Sequence, residues 1–115
     1  MNANTRVRDL RPKTAEEYVS LIENALFEIE DLRAAAEYDE DSMGGALKFL
    51  DELEAQVRSI RDRMAAGSYR FEDRDLPFMK LVQQVDDRLL PFKQLLVIIN
   101  ATHRKGLNVE EDEAT

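Results

Sequence analysis

Three long stretches of this chain place an apolar residue at every third or fourth position, over residues 18–36, 43–64 and 78–99. In an α-helix that spacing gathers the apolar side chains into one stripe, which can be buried against another element. The sequence therefore predicts an all-α protein without β-sheet. We expect an antiparallel helical hairpin followed by a third helix, arranged as a three- or four-helix bundle.

Local signals fix the first helix. Thr14 and Glu17 have the spacing of a capping box, in which the threonine oxygen accepts from the Glu17 N–H and the carboxylate reaches back to the Thr14 N–H. The apolar stripe that follows predicts a helix over 15–38.

The second helix is predicted over 43–66. The acidic segment 38–42 is turn-prone, and Asp41 or Ser42 can cap a helix that follows it. Gly67 supplies a left-handed stop. A connection this short leaves the two helices antiparallel.

The third helix is predicted to start around Pro77 and to end near Lys105, with Gly106 as its cap. Its apolar rhythm continues through Pro91, which removes one backbone donor and clashes with the preceding turn. We expect the helix to be kinked or divided in two within one turn of Pro91, with both parts facing one core.

The 115 residues fit a single domain, predicted over 14–106. Residues 1–13 hold four cationic side chains and no sustained periodicity, which predicts a flexible basic arm. Residues 107–115 contain four acids and predict a disordered acidic tail.

Composition limits the classes of partner. The 24 acidic residues outnumber the 16 Lys and Arg, and the net charge of −8 disfavours nucleic acid and anionic membranes. No stretch is apolar enough for a membrane span, and the N-terminus lacks the apolar core of a secretion signal. The absence of cysteine excludes disulfides and cysteine-based zinc sites. We expect a cytoplasmic protein that binds neither nucleic acid nor membrane.

Two acidic pairs offer one possible chemistry. Glu37 with Glu40 and Asp51 with Glu54 resemble the acidic pairs of MazG-type all-α nucleotide pyrophosphatases, which hold Mg²⁺ against a nucleoside triphosphate. The resemblance covers residues 37–54 and implies a magnesium-dependent hydrolase, although Asp51 stands where that family has a glutamate. In a chain this acidic the same residues also suit the solvated outer faces of two helices. The hydrolase is therefore the alternative function.

No other pattern indicates catalysis, a metal or a cofactor. The single histidine, His103, lies in the last turn of the final helix, where a cationic imidazole suits the helix dipole. The serines lack the elbow motif of a hydrolytic nucleophile, and one histidine is too few for a ferritin-like di-iron centre. We expect a non-catalytic protein without a cofactor.

A first candidate binding site follows the second helix, where residue types that dominate binding hot spots are concentrated. Its members are Tyr69, Arg70, Phe71, Arg74 and Phe78. Exposed arginines beside an open aromatic surface would receive an acidic or aromatic partner. In the other interpretation, Tyr69 and Phe71 only pack against the end of the hairpin.

A second candidate surface lies on the final helix, where the apolar run 95–99 covers more than one face. A flank distinct from the main stripe predicts a homodimer interface, unless Tyr69 and Phe71 cover it. Its residues are Met79, Leu90, Val97 and Ala101. Heptad-like seams of this kind recur in coiled coils. The sequence thus favours a homodimeric interaction or adaptor protein whose partner is another protein.

Overall fold

The computed structural model describes residues 9–38 and 40–109, with side chains from residue 47 onward in the second range. This part of the chain contains four α-helices and no strand, which confirms the all-α class. The helices are α1 (Ala15–Tyr38), α2 (Glu40–Ala66), α3 (Phe78–Gln84) and α4 (Lys93–Lys105).

The start of α1 has the predicted position but a different capping box. The Glu17 N–H donates to Thr14 Oγ1 at 3.0 Å, as expected. The Glu17 carboxylate, however, accepts from the backbone N–H of Lys13 at 2.8 Å rather than from that of Thr14. The box therefore closes one residue earlier than the sequence suggests, and it still satisfies a backbone donor at the helix start.

The helix α2 begins at Glu40, so most of the acidic segment predicted as a turn is helical. Acidic side chains are favourable in the first turn of a helix because they face the positive end of its dipole. The predicted caps Asp41 and Ser42 fall inside the helix, and their side chains lie outside the described residues.

The predicted stop at Gly67 is confirmed. Gly67 has a φ of 74°. Its N–H donates to the Met64 carbonyl at 3.2 Å, and the N–H of Ser68 donates to the Arg63 carbonyl at 2.9 Å. These two bonds form a Schellman motif, which satisfies carbonyls at the end of α2.

The predicted third helix consists of two separate helices, since α3 ends at Gln84 and α4 begins at Lys93. The interruption starts at Val85, well before Pro91. Within it, the Asp86 carboxylate accepts the Arg88 N–H at 2.9 Å and the Asp86 carbonyl accepts the Leu89 N–H at 2.9 Å. An aspartate turn of this kind leads the chain out of α3 without a proline.

The core lies where α1 packs against α2 and α4, with α3 packed against both α2 and α4. Burying one large aliphatic side chain contributes roughly 1.5–3 kcal/mol to the stability of the fold, so the buried side chains of this core hold the helices together. Its fully or almost fully buried members include Tyr18, Ile22, Ile29, Leu50, Leu53, Val57, Ile60, Leu90, Leu96 and Ile99. No helix in the described ranges has an apolar stretch long enough to cross a bilayer.

An ion pair joins the two long helices. Arg33, near the end of α1, binds both Asp51 and Glu54 in α2. The side chains of Arg33 and Glu54 are only 17% and 16% exposed, so solvent screens their attraction less than that of a surface pair. This ion pair links the last third of α1 to the middle of α2.

The two ends of the described chain meet. The Asn108 N–H donates to the Pro12 carbonyl at 2.8 Å, and Arg11 Nη1 donates to the Gly106 carbonyl at 2.8 Å. Pro12 and Asn108 are both buried. The last residues of the predicted arm and the first residues of the predicted tail therefore pack on the helices, while 1–8 and 110–115 lie outside the described residues. Gly106, with a φ of 86°, ends α4 as predicted.

Candidate functional site

The segment after α2 folds back onto the start of α1 and places an aromatic cluster there. The ring of Tyr18 lies 5.8 Å from that of Tyr69 and 5.6 Å from that of Phe71, centre to centre. Tyr69 and Phe71 meet edge to face at 5.2 Å. These are favourable arrangements for aromatic pairs, so both rings help to close the core. Phe71 nevertheless remains 38% exposed.

Hydroxyl groups and an imidazole connect this cluster to α4. The Tyr18 hydroxyl lies 3.0 Å from that of Tyr69 and donates to the Ile99 carbonyl at 3.3 Å. The Tyr69 hydroxyl in turn bonds to His103 Nδ1. Burial lowers the pKa of His103, because a charged imidazole would lose its hydration there. Burial therefore favours the neutral form of His103 over the cationic form that the sequence suggested, and its tautomer decides whether Nδ1 donates to the Tyr69 hydroxyl or accepts from it.

Further hydrogen bonds from α4 hold the segment 72–76 in place. The His103 carbonyl accepts the Glu72 N–H at 3.1 Å. Asn100 accepts the Leu76 N–H at 2.7 Å through Oδ1 and donates from Nδ2 to the Asp75 carboxylate at 2.9 Å. Asn100 is buried, and its two bonds satisfy groups that would otherwise be costly to shield from water. A lone asparagine in an apolar helix was the only sign of this role in the sequence.

The predicted binding residues of this segment are partly brought together. Tyr69, Arg70, Phe71 and Arg74 lie at one end of the helices, whereas Phe78 is buried in the core and is not part of any surface. A residue that the sequence did not single out joins them, since the Arg63 guanidinium lies 5.3 Å from the centre of the Tyr69 ring. At this distance a cation is attracted to the face of the ring.

The arginines differ in their electrostatic environment. Arg74 is 75% exposed and binds Glu72 at 3.0 Å. The hydrogen bond from Arg74 lowers the pKa of Glu72, and the nearby charge of Arg70 acts in the same direction. We call the set Arg63, Tyr69, Arg70, Phe71 and Arg74 the arginine–aromatic surface.

The predicted dimer flank is only partly present on the surface. Val97 and Ala101 lie on the outer side of α4, but Leu90 is fully buried and Met79 packs against the core. Leu90 was assigned to this flank on the assumption of one continuous helix. The break over 85–92 removes that register, because helical periodicity fixes the relative direction of side chains only within one helix.

A groove runs beside Val97 and Ala101. One depression of about 440 Å³ and a second of about 300 Å³ share Val97, Ala101 and Lys105 in their walls. We call this surface the α4 groove. Its apolar lining is Leu10, Val97, Ile98 and Ala101, and its charged lining is Asp9, Arg11, Asp73, Arg104 and Lys105.

The acidic residues predicted for the alternative function, a magnesium-dependent hydrolase, do not form a common site among the described side chains. Glu37 is exposed near the end of α1, and the side chain of Glu40 is outside the described residues. Asp51 and Glu54 both bind Arg33. Within the described side chains, no three Asp, Glu or His residues lie close enough together to hold a metal ion.

The structure therefore offers two surfaces on which binding can be argued, the arginine–aromatic surface and the α4 groove. They share no lining residue, although Asp73 in the wall of the α4 groove lies between Phe71 and Arg74 in the chain. No protein family, curated protein or solved structure matches this chain.

Proposed function

We propose that the protein is a small helical bundle that acts as a non-catalytic interaction or adaptor protein and forms a homodimer through the α4 groove. The observation that carries this proposal is the apolar surface left open along α4. Leu10 is 48% exposed and Val97 is 38% exposed, and both line the same depression with Ile98 and Ala101. Contiguous apolar surface rimmed by charged residues is typical of protein interfaces.

Charge does not oppose a second copy as the occupant. The chain as a whole carries −8, so most approaches between two copies are repulsive. The α4 groove is different, because the three cations and two anions of its lining nearly cancel. A groove-to-groove contact therefore adds little repulsion, and its apolar residues supply the attraction.

The geometry of α4 suits a two-fold contact. Its 13 residues make a helix about 20 Å long. The side chain of Ala101 is small, which allows the axes of two helices to approach within the usual 8–10 Å or so. In a two-fold dimer each copy offers the same groove, so one contact covers the exposed apolar residues of both.

Sedimentation equilibrium of the wild type and two variants tests the proposal. Val97→Glu places a charge in the centre of the contact and is expected to shift the protein to monomer. The matched control is Ser20→Glu, which adds the same charge at an exposed position of α1 and is expected to leave the dimer intact. Circular dichroism should show equal helix content in all three proteins.

Two results would contradict the dimer. One is a wild type that remains monomeric up to about 100 µM, because a dimer with a micromolar dissociation constant would form well below that concentration. The other is a dimer that Val97→Glu and Ser20→Glu affect equally, since the contact would then lie elsewhere on the chain.

A further inference from the structure

We infer that the arginine–aromatic surface binds a short segment of a partner protein that carries one or two carboxylates next to an aromatic or large apolar side chain. This inference deepens the proposed function, because an adaptor needs a binding surface besides its dimer contact. It depends on residues that the α4 groove does not contain.

The first argument is the absence of carboxylate partners for two arginines. Arg63 and Arg70 form no ion pair with any residue that the structure describes. All the other described arginines bind a carboxylate, namely Arg11, Arg33, Arg58, Arg61, Arg74, Arg88 and Arg104. Both side chains are exposed in a chain with an excess of acids; Arg63 lies against the Tyr69 ring, and Arg70 is the residue that follows Tyr69.

The second argument is the exposed aromatic face of Phe71. Phe71 is held against Tyr18 and Tyr69, yet more than a third of its surface remains open to solvent. Arginine and aromatic residues at a rigid surface are the usual components of binding hot spots. A partner side chain placed on Phe71 would lie next to the Tyr69 ring, which Arg63 contacts, and arginines bind carboxylates through paired hydrogen bonds.

The third argument is that the segment is held in its conformation before any partner arrives. Asn100 fixes the backbone at Leu76, and His103 fixes both the backbone at Glu72 and the Tyr69 hydroxyl. Binding to an ordered loop loses little conformational entropy.

The surroundings also limit the charge of the partner. Glu72, Asp73 and Asp75 border the surface, and their side chains are 47%, 81% and 48% exposed. These acids would repel the phosphates of a polyanion such as a nucleic acid. A segment with one or two carboxylates fits between them, so the geometry favours a protein segment over nucleic acid.

Fluorescence anisotropy with labelled peptides tests the inference. The probe is Ser-Glu-Phe-Glu-Ser, and the comparison peptides are Ser-Gln-Phe-Gln-Ser and Ser-Glu-Ala-Glu-Ser. The full chain should bind the probe more tightly than either comparison peptide. Arg63→Ala and Arg70→Ala should each weaken binding by about tenfold, as expected when a charge-assisted hydrogen bond is lost.

The matched control is Arg88→Ala, which removes one exposed arginine from the connection between α3 and α4 and should leave binding within about twofold of wild type. Amide shifts in a two-dimensional NMR spectrum should change over residues 69–74 when the probe is added. No probe binding, or an equal loss of binding in Arg70→Ala and Arg88→Ala, would overturn the inference. So would tighter binding of single-stranded decathymidylate than of the probe.

The two proposals fail separately. Val97→Glu should still bind the probe when it is monomeric, and Arg70→Ala should still form the dimer. Loss of probe binding in Val97→Glu would show that the α4 groove holds the peptide, which would overturn the assignment to the arginine–aromatic surface.

Discussion

The Tyr69 hydroxyl and His103 Nδ1 are hydrogen-bonded to each other, although Tyr69 lies in the loop after α2 and His103 in the last turn of α4. This bond ties the arginine–aromatic surface to the helix that carries the α4 groove. A second proton on the imidazole would place a charge at a site shielded from water.

The first prediction follows from the lowered pKa of His103. Below its ordinary value of 6.5, the unfolded chain binds a proton that the folded chain resists. The free energy of unfolding should therefore fall as the pH is lowered from about 7 through the folded pKa, by at most about 1.4 kcal/mol per pH unit for one group. Above about pH 7, His103 is neutral in both the folded and the unfolded chain, so it does not change the pH dependence of the free energy of unfolding.

Urea unfolding of wild type and His103→Asn between about pH 7 and pH 5 measures this effect. The asparagine amide lies at the position of Nδ1 and can bond to the Tyr69 hydroxyl but does not titrate, and the acidic residues are common to both proteins. The loss of stability on acidification should be smaller in the variant. Equal pH dependence in both proteins would show that His103 does not resist protonation in the fold.

A second prediction concerns Asn100→Asp. The new carboxylate still accepts from the Leu76 N–H, but it loses the bond to Asp75 and faces that carboxylate with a like charge. We expect a loss of about 1–3 kcal/mol at pH 7, measured by urea unfolding, and a smaller loss at about pH 4, where a carboxyl group becomes protonated. Asn24→Asp, at an exposed position of α1, is the control and should change stability little. Similar losses in both variants would contradict the role of Asn100.

The third prediction tests the turn at Gly67. No atom lies within 4 Å of the position where a Cβ would be added, so substitution meets no steric clash. Gly67→Ala should still cost about 1–2 kcal/mol in thermal or urea unfolding, because the backbone is left-handed there. Gly67→Asn should cost less, since asparagine tolerates that conformation better. Equal stability of all three proteins would mean that the turn relaxes without cost.

The fourth prediction separates the proposed function from the magnesium-dependent alternative. Arg33 already pairs with both Asp51 and Glu54, and Arg58 pairs with Glu54, so Mg²⁺ would have to displace these arginines to bind the two acids. We expect the melting temperature to stay within about one degree on addition of Mg²⁺ and a nucleoside triphosphate to metal-free protein. A ligand that binds only the folded state raises the melting temperature, and such a rise would favour the hydrolase.

Features that depend on neighbouring residues could be predicted from the sequence. The start of α1 follows from Thr14 and Glu17, and the ends of α2 and α4 follow from Gly67 and Gly106, because capping is decided within one turn of chain. The break between α3 and α4 was harder to locate. The apolar spacing continues through the break because both helices face one core. In the sequence, the turn formed by Asp86 is also less conspicuous than Pro91.

The candidate surfaces depend on contacts between distant parts of the chain. The hot-spot composition of 69–78 made this segment a candidate, but nothing local distinguishes buried Phe78 from partly exposed Phe71. Arg63 belongs to the surface because the chain reverses direction at Gly67, which places the Tyr69 ring against the side chain of Arg63. Asn100 and His103 act through partners in another element, which no spacing within α4 reveals.

The bond between Pro12 and Asn108 makes the described chain almost a ring. A short linker from residue 109 to residue 9 would close it, and the exposed connection at 87–88 offers a place to reopen it. In the resulting circular permutant the helices would follow in the order α4, α1, α2, α3 with their contacts unchanged. We therefore expect the packing to be specified by the faces of the helices rather than by their order.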